Sequence, residues 1–349
     1  MSTQISPKSF RVIVVGAGRV GSALAAALGS VPGFSVLLVD SVPEVADRAR
    51  DAGHEAVVCD VLDEHRFQLV ARGADAIVAA LPEHTVAHVA GLAAWLGAHH
   101  LDFSDPRSTG LVARAASAEA PAVLPGCGVS PGFVDDVVAD LIGEFDEVED
   151  LVVRVGAIPR HPKGKLGYGD IWDVNGLISE YTRPAEVVVD GRPATVPALG
   201  GHETFKWKGR NYEAFVTADG SRSLVALCRG RVRNATFKTI RHPGHLDHML
   251  FLLDELKLRN RLPMLANLLV NALPRVVEDM VLIHVTASGP IGGTPSERTA
   301  VHEIASLPAS GRTGPVSALA RGAAAYAETQ LLALAGLPNA ATALELSKA

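Results

Sequence analysis

The chain has 349 residues, with 32 Lys and Arg against 38 Asp and Glu and a formal net charge of −6. That length exceeds what one hydrophobic core organises and predicts two domains, while the acidic balance excludes a protein built to neutralise nucleic-acid or membrane phosphates. Three scattered cysteines (Cys59, Cys127, Cys228) exclude a disulfide scaffold and point to a reducing cytosol, the opening MSTQISPKSFR lacks a signal-peptide layout, and no apolar run reaches the ~18 residues of a bilayer span.

The first third alternates β-branched runs with Ala/Leu-rich segments at helical spacing. Strands are predicted at 11–15, 35–39, 56–59, 75–81, 100–103 and 122–124, with helices such as 21–28 and 43–52 between them. The second of these helices has Ser41 in capping position, Pro43 in its first turn and Gly53 as a stop. Continuous apolar strands separated by helices predict a parallel sheet covered on both faces, a doubly wound α/β domain.

After about residue 130 the pattern changes. A strand at 147–157 is followed by a Gly/Pro/Lys-rich loop over 159–170 and a short helix over 173–181. Asp190-Gly191 and Lys208-Gly209, each between β-branched or aromatic runs, predict two hairpins. Strand 231–240, helices 245–258 and 262–273, and strands 279–287 and 298–304 complete an α+β domain, since its elements come in runs rather than alternating. The Ala/Leu-rich helix over 315–334 resembles those of the first domain. The expected division is therefore 1–130, completed by 312–349, with 131–311 inserted between them.

The sharpest motif is G-A-G-R-V-G, Gly16 to Gly21, directly after an apolar strand and opening a helix. Gly16 allows the tight turn, Gly18 lets the backbone approach a pyrophosphate, and Gly21 brings the helix close to the sheet. Arg19 and Val20 fill the positions between, at the helix N-terminus that would meet the phosphates. Asp40 follows about 20 residues on, at the end of the second strand, placed to accept hydrogen bonds from ribose hydroxyls. Its successor is Ser41 rather than a cation, so NAD is expected over NADP. Asp60 is expected either at the adenine end or as a helix cap before Leu62, and Ala80, Leu81 and Pro82 beside the cofactor at the end of the fourth strand.

The ends of the fifth and sixth strands carry Asp102, Asp105 and the loop P-G-C-G-V-S-P-G-F over 125–133. Asp102 or Asp105 would balance a substrate ammonium or take its proton, with a helix cap as the plainer role for Asp105. Cys127 reads as a thioester nucleophile or as a small buried residue lining the cofactor loop. Ser130-Pro131 reads as a helix cap and first turn. In T-I-R-H-P-G-H, Arg241 is suited to gripping a carboxylate bidentately. His242, His245 and His248 form a weaker zinc alternative that lacks a fourth ligand, so no metal is expected.

These motifs together resemble the saccharopine dehydrogenase superfamily and, within it, the lysine 6-dehydrogenases. The resemblance rests on G-A-G-R-V-G at 16–21, P-G-C-G-V-S-P-G at 125–132, V-R-V-G-A-I-P-R-H-P at 153–162, N-G-L-I-S-E-Y-T-R-P-A-E-V-V at 175–188 and K-T-I-R-H-P-G-H at 238–245. It implies a Rossmann domain with an inserted α+β domain, a homodimer or homotetramer built through the inserted sheet, and NAD-linked oxidation of an amino-acid amine, L-lysine first. On that expectation Asp102 takes the substrate proton, with His242 or Tyr168 in reserve, and Arg241, with Arg183, holds the α-carboxylate. Trp172 and Tyr181 are expected as substrate contacts on a lid over 159–181, made mobile by Gly164, Gly167 and Gly169.

Overall fold

The computed structural model describes residues 9–338, apart from Trp172, Asp219 and Thr313. Its described residues divide into two units: those up to Phe133 with Pro308–Val316 and the stretch from Ala320 on, and Val134–Leu307 with the short stretch Ser317–Leu319.

In the first unit, strands β1 (Phe10–Val15), β2 (Phe34–Asp40), β3 (Ala56–Val58), β4 (Ala76–Ala79), β5 (His99–Asp102) and β6 (Val123–Leu124) form one sheet in the order β3-β2-β1-β4-β5-β6. Every pairing is parallel. Helices α1 (Arg19–Gly29), α2 (Pro43–Asp51), α3 (Glu64–Val70), α4 (Glu83–Leu96) and the short α5 (Pro106–Thr109) fill the crossovers. Because a strand's side chains alternate between faces, Val12, Val14, Ala76 and Val78 enter one core with Leu24 and Leu28, while Ile13, Val15, Ile77 and Ala79 enter another with Val86, Val89 and Ala93. The doubly wound architecture follows from those two cores. The α11 helix (Ala318–Leu334) adds Ala320, Ala324, Ala327 and Leu331 to the first core, a stripe at helical spacing.

Two local expectations are corrected here. Val42, not Ser41, is the N-cap of α2, because Asp40 Oδ1 already accepts the Val42 amide at 2.9 Å. Ser130 and Pro131 do not begin a helix: their peptide bond is cis, and α6 (Phe133–Ile142) starts two residues later. The turn is folded so tightly on Gly132 (φ +122) that a Cβ there would lie 2.4 Å from the Gly128 carbonyl oxygen.

The second unit is a mixed sheet of eight strands: β7 (Val148–Pro159), β8 (Ala185–Val189), β9 (Arg192–Val196), β10 (Glu203–Trp207), β11 (Arg210–Val216), β12 (Val232–Arg241), β13 (Asp279–Ile291) and β14 (Thr294–Ala305). The main path runs β10-β11-β12-β7-β13-β14, and β8 and β9 branch from β12. Both expected hairpins form, with positive φ at Asp190, Gly191, Lys208 and Gly209, the signature of the turn that matches strand twist. Helices α7 (Val174–Thr182), α8 (Ser221–Cys228), α9 (His245–Leu250) and α10 (Leu262–Ala272) complete the unit; α8 had no clear sequence signal.

The single helix expected over 245–258 is broken. After α9 comes one wide π-turn, Phe251–Glu255, then Lys257 at φ +58 and a 3-10 turn, Leu258–Asn260. Leu253 and Leu258 lie five residues apart and would point away from each other on a straight α-helix. The break brings both into one core with Met249 and Leu265. Among the described residues, no helix is long and apolar enough to cross a membrane.

Candidate functional site

The nucleotide end is assembled where β1 runs into α1. Gly16 has φ +96, and a Cβ on it would lie 2.3 Å from the Ala80 carbonyl oxygen; one on Gly21 would lie 1.9 Å from the Gly16 oxygen. These two glycines are demanded by packing of the turn on β4 and of α1 on the turn. Gly18 differs: nothing lies within 4 Å of its Cβ position. Gly18 also N-caps α1 with no side-chain cap, and no acidic residue stands in the first turn. An open space over an uncapped helix start fits a pyrophosphate, so these residues fit a dinucleotide. Arg19 is exposed and Val20 half-buried beside that start.

Asp40 ends β2 with Oδ2 accepting the Ala17 amide at 2.8 Å, so the acid is tied to the glycine turn itself. The Ala80–Leu81–Pro82 stretch lies against Gly16, with Pro82 as N-cap of α4. Asp60 Oδ1 accepts the Leu62 amide in a tight local turn, in keeping with the capping alternative, while the N-cap of α3 itself is Asp63, which accepts the Arg66 amide.

Asp102, at the end of β5, is fully buried. Its Oδ1 accepts the Ser104 amide at 2.8 Å, and its Oδ2 lies 3.0 Å from His100 Nε2. Sequence reading missed His100, although it stands two residues away on the same face of β5. Of the two readings of Cys127, the small buried residue is the one found. Its thiol donates to the Leu124 carbonyl at 3.2 Å and packs with Leu101 in the core, so it presents no nucleophile.

In the second unit the end of β12 and the start of α9 meet α7 around Arg241. The guanidinium is buried; Nε donates to Tyr181 Oη at 2.7 Å, Nη1 to the Ile240 carbonyl at 2.9 Å, and Nη2 to Glu180 Oε2 at 3.4 Å. Its carbon sits 4.9 Å from the centre of the Tyr168 ring and 5.7 Å from that of Tyr181. Burial opposes the Arg241 charge, but Tyr181, Tyr168 and Glu180 together outweigh it and raise the pKa. A guanidinium has five N–H donors, so two remain uncommitted among the described residues.

Hydrogen-bond roles around Arg241 are determined by their neighbours. His245 Nδ1 faces the Leu166 carbonyl at 2.9 Å and must donate, which leaves Nε2 an acceptor for the Tyr181 hydroxyl at 2.9 Å. Burial, with Arg241 beside it, drives the His245 pKa down to about 3, and burial pushes that of Tyr181 up. Tyr181 is thereby corrected from substrate contact to positioning group, since its hydroxyl accepts from Arg241 and donates to His245. His242 donates from Nε2 to the Pro159 carbonyl at 2.8 Å and stacks on Tyr212; burial lowers its pKa, so it is a neutral imidazole with its lone pair on Nδ1.

The lid expectation fails at 167–171 and at Tyr181. Tyr168 and Ile171 are core residues, and a Cβ on Gly169 would lie 2.4 Å from Val276 and 2.6 Å from the Pro274 carbonyl oxygen. A Cβ on Gly167 would lie 2.9 Å from the Cβ of His242, so these glycines serve close approach rather than hinge motion. Tyr168 accordingly offers Arg241 a ring face, not a proton-accepting group at the surface. Trp172 lies outside the described residues. Arg183 is exposed at the C-cap of α7 and joins none of the hydrogen bonds of Arg241.

Glu213 was not anticipated. From β11 it accepts the amides of Gly244 at 2.9 Å and Leu246 at 2.7 Å, capping α9 from another element. The available signal was indirect: Pro243-Gly244 offers no side-chain cap of its own. The zinc alternative is contradicted by geometry, since His242, His245 and His248 each engage separate backbone or phenol partners. No cluster of three metal-binding side chains occurs among the described residues.

A family model described as the saccharopine dehydrogenase C-terminal domain matches residues 128–326, and one described as the TrkA-N domain matches 12–130. Among solved structures, the fold is similar to saccharopine dehydrogenase (L-Glu forming) from Saccharomyces cerevisiae, with a TM-score of 0.79 at 15% identity over 94% of this chain and 92% of that one. A myo-inositol dehydrogenase from Corynebacterium glutamicum gives a TM-score of 0.45 at 17% identity, covering 94% and 88%. With the first family model spanning more than half its residues, behind a strand, glycine turn and helix shaped for a dinucleotide, the chain belongs to the saccharopine dehydrogenase family of Rossmann-type oxidoreductases.

Proposed function

We propose that the chain catalyses NAD-dependent oxidation of a side-chain amine of an amino acid, with L-lysine as substrate. The product would be the 6-semialdehyde, which closes on its own α-amine to a piperideine carboxylate. The observation that carries this reading is the buried Arg241 guanidinium, held charged and keeping two N–H donors for one carboxylate. Gripping the α-carboxylate there leaves the distant ε-amine as the reacting end.

Gly18 and the start of α1 would take the pyrophosphate and Asp40 the ribose hydroxyls, with Ser41 leaving no cation for a 2′-phosphate. The nicotinamide, when bound, accepts a hydride. An ammonium has no lone pair to drive C–H cleavage, so a protein group must first take its proton. Asp102, an acceptor anchored by Ser104 and His100, is the first candidate. Neutral His242, with Nδ1 as acceptor, is the second. Water then adds to the imine and ammonia leaves.

The likeness in fold to a saccharopine dehydrogenase favours one further reading, oxidative cleavage of a secondary amine. Absorbance at 340 nm, followed with NAD⁺ and an amine panel, separates the two. Turnover of L-lysine with NAD⁺ and little with NADP⁺ is expected. Turnover of saccharopine alone would transfer the assignment to the second reading, and NAD⁺ binding without turnover of any amine would leave a dinucleotide sensor. We further propose a homodimer or homotetramer in the cytosol, built through the sheet face where Phe205, Trp207 and Val301 are only half covered; a monomer by light scattering would contradict it.

A further inference from the structure

The reaction proposed above gives one buried carboxylate no part. Glu213 lies on β11 directly across the antiparallel ladder from Arg241, and only 4% of it is exposed. Burying a carboxylate is costly unless hydrogen bonds offset the loss of water. Here Oε2 accepts the Gly244 amide at 2.9 Å and Oε1 the Leu246 amide at 2.7 Å, so the acid holds the start of α9. Oε2 also lies 3.6 Å from Nε2 of the exposed His202.

This segment cannot hold its own geometry. α9 has six residues before the π-turn begins, too few for a self-supporting helix. Its N-cap, Gly244, has φ +90 and no side chain to cap with, and Pro243 before it has no N–H. Glu213 therefore ties down the residues on either side of His245. His245 in turn carries the aim of Arg241. Its Nδ1 donates to the Leu166 carbonyl at 2.9 Å, its Nε2 accepts from the Tyr181 hydroxyl at 2.9 Å, and that hydroxyl accepts from Arg241 Nε at 2.7 Å. The connection runs from β11 through α9 and α7 before it returns to β12. It fixes the plane of the guanidinium, and with it the direction of the two N–H donors left for a carboxylate. Capping alone needs no such reach, since a serine or aspartate at the N-cap itself supplies it.

We propose that Glu213 is a positioning residue for the carboxylate grip: by holding the start of α9 it keeps His245 and Tyr181 in place, and through them the orientation of Arg241. This rests on the amine-oxidation reading, in which Arg241 takes the substrate carboxylate. That contact is remote from the reacting carbon and is made equally in the bound substrate and in the transition state. Losing its alignment therefore raises KM and spares kcat.

The test measures kcat and KM for L-lysine at saturating NAD⁺ in wild type, Glu213→Gln, Tyr181→Phe and the double variant. Glutamine keeps the size of the side chain but turns an NH₂ group toward one of the two amides, so one tie is lost. Glu213→Gln should raise KM about tenfold or more and leave kcat within about threefold of wild type. Tyr181→Phe breaks the connection between His245 and Arg241, so adding Glu213→Gln to it should change KM by less than about threefold. If Glu213→Gln does not fold, Glu213→Asp, whose carboxylate falls one methylene short, should raise KM in the same direction and with the same dependence on Tyr181. An unchanged KM in the folded variant, a loss confined to kcat, or an equal rise in KM on both backgrounds overturns the inference and leaves the oxidation reading standing. No turnover of L-lysine by wild type overturns both.

Discussion

His245 is a histidine that has lost the property for which histidine is usually retained. Buried beside Arg241 and donating to Leu166, it titrates near 3, so it serves as a fixed donor–acceptor spacer rather than a proton shuttle. Between that value and the 6.5 of an exposed imidazole, the unfolded chain binds one more proton at this residue than the folded chain does. Stability from this residue is therefore complete above about pH 6.5 and is lost as pH falls toward 3, at about 1.4 kcal/mol per pH unit. His242, whose pKa is also depressed by burial, adds in the same direction. Urea unfolding between pH 4.5 and 8 should show this slope, and His245→Gln, though less stable at pH 8, should flatten it. An equally steep slope in the variant would assign the pH dependence elsewhere.

At the scale of the element, the strand–turn–helix of β1 and α1 shows how one motif contains glycines of two kinds. Gly21 has no room for a methyl group against the Gly16 carbonyl, whereas Gly18 has open space and an extended backbone that alanine adopts without strain. Gly21→Ala should lower stability by at least about 2 kcal/mol, because α1 must be pushed off the sheet. Gly18→Ala should unfold like wild type and weaken NAD⁺ binding about tenfold or more, since its methyl occupies the approach to the pyrophosphate. Thermal unfolding together with a fluorescence titration of NAD⁺ reads both; undiminished affinity in Gly18→Ala would refute the pyrophosphate placement. This element was legible in sequence because strand, turn, helix and Asp40 are close neighbours along the chain. The single helix expected over 245–258 was not, because its break answers to a core formed with α10 and α7.

At the scale of the whole molecule, the chain returns to the first sheet after the second has been built. The stripe Ala320, Ala324, Ala327 and Leu331 shares a core with Val12, Val14 and Leu24, more than 300 positions earlier in the chain at its widest. Alanines dominate because the helix lies close on the sheet, and a larger or charged side chain has nowhere to go. Ala327→Asp, which buries a carboxylate at a fully covered position, should cost about 3 kcal/mol or more, while Ala333→Asp on the exposed side should change little. Comparable losses from the two, measured by chemical denaturation, would mean that the helix is not part of that core.

By itself the sequence determined what depends on neighbours along the chain. Strand and helix periodicity, the Gly16–Gly21 turn with Asp40, and the Asp190-Gly191 and Lys208-Gly209 hairpins all follow from backbone sterics within a few residues. Only the tertiary structure decided which groups are partners and which are buried. Arg241 meets Glu180 and Tyr181 some 60 residues away, Glu213 caps a helix from a strand, and Tyr168 and Tyr181 sit in a core rather than on a lid. The reason is physical: hydrogen-bond roles and ionisation are set by burial and by what faces each group, and these are properties of packed surfaces rather than of chain order.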